Sequence, residues 1–396
     1  MTTDVQSHGA GGNVFRDPRV RAVVYQAIVI VLFVAFVLYI GHNTAHNLEK
    51  RGIASGFGFL GQPAGFGIGI VLFMDYSNQT STHLDVLIIG IINTLVVSFT
   101  GIFFATLIGF IAGILRLSKN WIVNKMAAVY IEVVRNIPLL VQLFFWYFAV
   151  LAVLPTVRDS HQIGSSIFVN NRGVSFPGII PSEGFWLIPV ALLVAIVLCV
   201  FVARWARKRQ EATGQLFPVF WTWVGLVILL PVIGAAIMGF PFTIAYPDFG
   251  KFSIHGGWSL EPEFLSLLLG LSIYTGAFIA EIVRSGINSV SFGQTEAAHS
   301  LGLRPRLTTR LVILPQALRV IVPPLTSQYL NLIKNSSLAT AIGYADITAL
   351  FAGTSLNQTG QAIECIFITM LFYLSISLLI SMFMNWYNKH ISLVER

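Results

Sequence analysis

Charged and amide side chains are scarce in this chain, so the few that interrupt its apolar stretches are where chemistry must be sought. Lys334, Asn335, Ser336 and Ser337 stand together near the middle of one helix-length run. A lysine there can pair with a carboxylate, and the amide and hydroxyls can bond either end of a small zwitterion. The competing reading is a structural ion pair, or hydrogen bonds that hold neighbouring helices together. Gln142 follows the helix-breaking Pro138 and can either line a cavity or bond across to another helix. Glu281 and Arg284, one turn apart, read as a local pair that positions the connection after them. Catalytic arrangements are not found: there is no GxSxG, no HExxH and no GxxxxGK[ST], the nearest fragment to the last being FGKF at Phe249. His299 is a lone histidine without a ligand set. No catalytic residue, metal or resident cofactor is expected, and the chain is not read as an enzyme.

These side chains need elements to carry them, and composition decides which. Of 396 residues, 55% are hydrophobic and 10% charged, with a mean hydropathy of +0.77; soluble domains carry about 25% charged residues. Several charge-free runs reach the roughly 20 residues that cross a hydrocarbon core. The runs do not alternate, which excludes a membrane barrel. The expected fold is all-α, a polytopic membrane helical bundle of about eight transmembrane helices. They are placed at Val20 to Ile40, Val86 to Leu115, Ile137 to Leu154, Phe185 to Ala203, Phe217 to Gly239, Phe264 to Ile287, Val320 to Gly343 and Ala362 to Asn388. The glycine-rich stretch Gly56 to Met74 is too interrupted for a span and is read as an external segment at the membrane surface. Gly109 and Gly113 form a GxxxG pair, read as a packing device. Cys199 and Cys365, each in an apolar run, are read as packing residues.

Eight crossings put both termini on one side. That side holds 18 lysines and arginines against 5 on the other, with Lys334 inside a span, so it is read as cytoplasmic. The net charge of +7 is accounted for by this anchoring, and no nucleic-acid partner is expected.

The cytoplasmic connection between the sixth and seventh spans is unusually structured. Glu296, Ala297 and Ala298 favour a short helix, and Gly302 and Pro305 stop it. Pro323 and Pro324 then rigidify or kink the start of the seventh span. The pattern Glu296-Ala297-Ala298, three residues, Gly302, nine residues, Val312, one residue, Leu314-Pro315 resembles the EAA signature of inner-membrane permeases of binding-protein-dependent ABC importers, with Val312 where that family has isoleucine. Asn93 to Phe99, Val134 to Phe148, Gly276 to Val290 and Asn331 to Ile347 are similar to its polar amino acid branch. The size and the added helices look most like the larger permease of general L-amino acid importers of proteobacteria.

The resemblance implies a type I ABC importer permease fold and an ATP-driven amino acid importer. Its partners are a second permease in a heterodimer, two copies of a cytoplasmic ATPase that binds ATP and Mg, a periplasmic amino-acid-binding protein and the lipid bilayer of a bacterial inner membrane. Glu296, Ala297, Ala298, Gly302, Leu314 and Pro315 would couple to the ATPase; Gln142, Lys334, Asn335, Ser336 and Ser337 are candidates for the substrate pathway. The implied division is 1–85 for the tail, first helix and external segment. The permease domain is 86–388, with an inserted helix pair at about 185–240 and a coupling loop at 288–319, and 389–396 form a cytoplasmic tail. The alternative is a secondary, ion-gradient-driven amino acid transporter.

Overall fold

The computed structural model describes residues 18–50, 52, 55–164, 166–250 and 253–391. The amino-terminal tail to Asp17, Lys251 and the last five residues lie outside the described residues. In chain order the helices are α1 (Pro18–Lys50), α2 (His83–Leu115), α3 (Trp121–Asn136), α4 (Leu139–Phe144), α5 (Leu187–Thr213), α6 (Val219–Ile237), α7 (Pro262–Asn288), α8 (Phe292–Ser300), α9 (Pro305–Thr308), α10 (Leu314–Asn335), α11 (Leu356–Thr359) and α12 (Ala362–Ile391). Six of them, α1, α2, α5, α6, α7 and α12, are long and apolar enough to cross a membrane. The other two expected spans take different forms.

The third is not one straight helix. After Pro138 only α4 and a π-helical turn, Phe145–Leu151, continue, and this pair meets α3 at a bend of 105°. α3 lies where a connection between spans is expected, and Asn120 caps it by accepting from the N–H groups of Ile122 and Val123. Proline explains the break, because it has no N–H for the helical ladder and disfavours helical backbone in the residue before it. The seventh span begins earlier than expected, at Leu314, and Gln316, Arg319, Gln328, Asn331 and Lys334 dilute its apolar content. It ends at Asn335 and tightens into a 3-10 turn, Ser336–Ile342.

The chain divides into two compact units. The first comprises 18–93 and 345–379 of the described residues. Here the glycine-rich stretch forms no long helix, only a 3-10 turn, Phe57–Gly61. Its side chains nevertheless pack: Phe59 joins Leu87, Ile347, Phe351 and Cys365 in one core, and Ala64 joins Val86, Ile89, Ala345 and Leu350 in another. Asn93 donates from its amide to the carbonyls of Ile70 and Ala345, at 2.9 and 2.8 Å. Two of the segments quoted from the sequence thus meet through one buried amide. Cys365 is buried and free, as is Cys199 in the other unit.

The second unit comprises 94–344 and 380–391, and α7 is its centre. Small residues let neighbours approach it. A Cβ on Gly109 of α2 would lie 2.5 Å from the Cβ of Ile279 and 2.9 Å from the carbonyl oxygen of Gly276, and one on Gly113 would lie 2.7 Å from that of Ala280. Gly270 of α7 likewise receives Leu143 of α4, and Gly286 receives Ile321 of α10. Without a hydrophobic drive between helices in lipid, such close packing is a main source of association.

Between α4 and α7, where an inserted helix pair is expected at about 185–240, short strands flank two helices. Before α5 come β1 (His161–Ile163), β2 (Ile167–Asn170), β3 (Gly173–Phe176) and β4 (Gly178–Pro181); after α6 come β5 (Phe242–Ala245), β6 (Asp248–Phe249), β7 (Ile254–His255) and β8 (Trp258–Leu260). Every pairing is antiparallel. One sheet runs β1-β2-β3-β8, while β4 pairs with β5 and β6 with β7. Pairing of β4 with β5 and of β3 with β8 fastens the segments on either side of the α5–α6 hairpin. Within that hairpin the Trp223 indole N–H donates to the Cys199 carbonyl at 2.9 Å. The helical class of the fold is unchanged by these short strands.

Candidate functional site

The short helix expected around Glu296 forms as α8, nine residues long, and Gly302 ends it. Gly302 has φ +75°. Its N–H bonds the His299 carbonyl at 2.8 Å while the N–H of Leu303 bonds that of Ala298 at 3.1 Å. This is a Schellman termination, whose turning residue adopts the left-handed conformation that favours glycine. A Cβ there would touch nothing within 4 Å, so backbone conformation alone requires glycine.

Ala298 is buried, whereas Glu296 and Ala297 are exposed. The Glu296 carboxylate has no hydrogen bond or ion pair among the described residues. Around it Phe292 and Leu301 stand 73% and 81% exposed, beside the exposed Arg304 and Arg306. The segment therefore presents a carboxylate, small side chains and two apolar ones outward, with basic residues alongside.

From Pro305 the backbone is helical without interruption to Asn335: α9, a π-helical turn Thr309–Ile313, then α10. Pro315 lacks the N–H that would reach back four residues, and the π turn beside it accommodates that loss. The second half of the connection expected at 288–319 is thus a rod continuous with α10. Leu314 and Pro315 lie inside that rod. Gln316 of α10 donates to Gln294 of α8 at 3.2 Å, a second tie between the two helices.

The sequence-selected polar cluster does not sit in mid-helix. Lys334 and Asn335 are the last residues of α10, and Ser336 and Ser337 open the 3-10 turn. The Ser336 hydroxyl donates to the Ile333 carbonyl at 2.6 Å and that of Ser337 to Lys334 at 2.7 Å, which engages carbonyls left open as the α-helix ends. Lys334 is exposed and has no ion pair among the described residues. Glu281 and Arg284 form a two-point ion pair, at 2.5 and 3.0 Å.

Gln142 is buried, and its amide nitrogen donates to the carbonyls of Val134 and Ile137, both at 2.9 Å. Those carbonyls end α3, so this side chain ties the two sides of the 105° bend. Gln142→Leu leaves both without that donor, at a cost of about 1 kcal/mol for each hydrogen bond lost. Thermal unfolding followed by tryptophan fluorescence is expected to shift down by several degrees; an unchanged midpoint would show that the bend does not depend on the amide.

Sequence reasoning passed over Ser98 of α2, Ser266 and Ser272 of α7 and Thr326 of α10. Their buried hydroxyls have no hydrogen-bond partner among the described residues. Single hydroxyl residues scattered through apolar runs carry no pattern that marks them. The polar content of the helical core is therefore larger than the five pathway candidates suggest.

Residues 105–393 match the family described as binding-protein-dependent transport system inner membrane component, and the chain belongs to that family. It is therefore a multi-span membrane permease subunit of a binding-protein-dependent transport system. It is 53% identical to the general L-amino acid transport system permease protein AapQ of Rhizobium johnstonii, over 98% of this chain and 97% of that one. Identity to the putative amino-acid ABC transporter permease protein YhdX of Escherichia coli K12 is 50%, over 96% and 97%. To the glutamate/glutamine/aspartate/asparagine transport system permease protein BztB of Rhodobacter capsulatus it is 43%, over 96% of each. Nothing in these relatives supports the ion-gradient alternative.

Proposed function

We propose that the chain is the permease of an ATP-driven amino acid importer, that it forms half of the translocation path, and that α8 is its docking element for a cytoplasmic ATPase. The observation that carries this reading is the glycine-terminated, outward-facing α8, bearing Glu296-Ala297-Ala298 and joined to a rod that continues into α10. ATP and Mg belong to the ATPase, present in two copies. A second, different permease completes the path, and a periplasmic binding protein delivers the amino acid. The excess of basic residues on the side of α8 supports a cytoplasmic location for it and for both termini.

Glu296 with Ala297 would seat α8 on the ATPase while the buried Ala298 packs α8 inward, and Leu314 and Pro315 would carry displacement into α10 as a rigid-body movement. Lys334, Asn335, Ser336, Ser337 and Gln142 remain the pathway candidates, with Lys334 the one whose charge is free to meet a carboxylate. Residues 86–388 would be the permease domain, carrying the strands around the α5–α6 pair as an addition. Reconstitution of the permease pair with the ATPase in proteoliposomes tests the proposal. Uptake of radiolabelled amino acid is expected only with binding protein outside and ATP inside. Uptake driven by an ion gradient without either would overturn it.

A further inference from the structure

At the end of α7 opposite α8, the strands and the head of α7 line an open cavity of about 430 Å³, within the roughly 300–1,000 Å³ usual for small-molecule sites. Arg172, at the β2–β3 turn, lines it together with Glu261 and Glu263 at the head of α7. Arg172 forms no ion pair with either carboxylate among the described residues, although all three face one space. The exposed Arg172 and the two half-buried carboxylates thus line one cavity without forming an ion pair. The Tyr147 hydroxyl donates to Glu263 at 2.9 Å and fixes that carboxylate. Ser175, buried against the same cavity, makes no side-chain hydrogen bond among the described residues. Burial, with the neighbouring charge of Glu263, raises Glu261 above the ordinary carboxylate range, as expected when two acids lie close together.

We propose that this cavity binds the zwitterionic end of an amino acid, its carboxylate on Arg172 and its ammonium between Glu261 and Glu263. A ligand carrying both charges satisfies both walls at once; an ion of one sign satisfies only one. The polar, small-molecule dimensions argue against a protein surface as occupant. Location supports the role: α7 has 27 residues, so its first turn and α8 lie about 40 Å apart at 1.5 Å per residue. The cavity is then on the side where a delivered substrate arrives, before the helical path. Because the strands belong to the addition around the α5–α6 pair, the addition would be a receiving site.

The proposal rests on the amino acid import reading, and two measurements separate their failures. The full chain, assembled with its partner subunits in nanodiscs and without binding protein, is titrated with tritiated L-glutamine, whose uncharged side chain leaves only the α-groups to be tested. Saturable binding is expected, weakened at least tenfold by Arg172→Gln and by Glu263→Gln. The α-amide of glutamine and its deaminated acid should each compete at least tenfold less well than glutamine. No saturable binding, or binding indifferent to both substitutions in monodisperse protein, overturns the proposal. ATP-driven uptake by the wild-type assembly is measured in parallel: if uptake stands while the cavity variants bind normally, only the cavity assignment falls. If ATP-driven uptake itself is absent, the import reading falls with it.

Discussion

The double variant Gly109→Leu, Gly113→Leu is expected to yield no folded, monodisperse protein. At both positions the would-be Cβ of α2 meets a backbone carbonyl of α7 at under 3 Å: Gly276 at 2.9 Å from Gly109, and Ala280 at 2.7 Å from Gly113. A carbonyl in a helix cannot rotate aside as a flexible side chain can, so the helices must separate. Separation strips contact from α7, which is also the packing surface for α4 through Gly270 and for α10 through Gly286. Overpacking costs roughly 1–3 kcal/mol at one well-packed site and more where nothing can yield. Two such sites on one interface approach the roughly 5–15 kcal/mol by which folded proteins are held. Size-exclusion profiles in detergent should show aggregate for the double variant and reduced thermal stability for each single one. Gly225→Ala is the contrast: it lies in α6 with nothing within 4 Å of the new methyl and should express and elute as the wild type. Normal behaviour of the double variant would show that α2 and α7 are not in contact as described.

What the sequence revealed of this fold follows the range of the interactions concerned. Apolar runs such as Val86 to Leu115 declare a helix because the solvent itself imposes it: every backbone group in a bilayer must find a partner within the segment. GxxxG marked a contact, and its partner became visible only when α7 was beside it. Pro138 announced a break but not that the preceding sixteen residues form α3, since its Arg135 and Glu132 read as loop charges. The strands were missed for a different reason. At two to four residues each, they are too short for alternation to register, and β3 finds β8 across the whole hairpin. A weak indication existed in Asn170-Asn171-Arg172-Gly173, where Asn170 pairs with Gly173 across a two-residue turn. Of the candidate site, Glu296 to Gly302 was legible because a helix stop is local chemistry. The cavity of Arg172, Glu261 and Glu263 was not, because nearly ninety residues separate its walls.

Charge reversal at Glu296 and a β-branched residue at Gly302 should each abolish at least nine-tenths of ATP-driven uptake without removing the protein from the membrane. The two act differently. Glu296→Lys changes no contact within the chain, because the carboxylate has none among the described residues, so stability should hold while copurification of the ATPase is lost. Gly302→Val instead forces a branched residue into φ +75°, which costs an L-residue roughly 1–2 kcal/mol or frays the end of α8. A tenfold loss corresponds to about 1.4 kcal/mol, so even partial fraying is enough to reach it. Gly302→Asn distinguishes backbone shape from side-chain contact, because asparagine tolerates the left-handed conformation and its side chain extends into open space. Uptake should therefore rank glycine, asparagine, alanine, valine. If asparagine is as damaging as valine, the surface around Gly302 rather than its turn is what the ATPase reads. If neither Glu296→Lys nor Gly302→Val lowers uptake, α8 is not the coupling element.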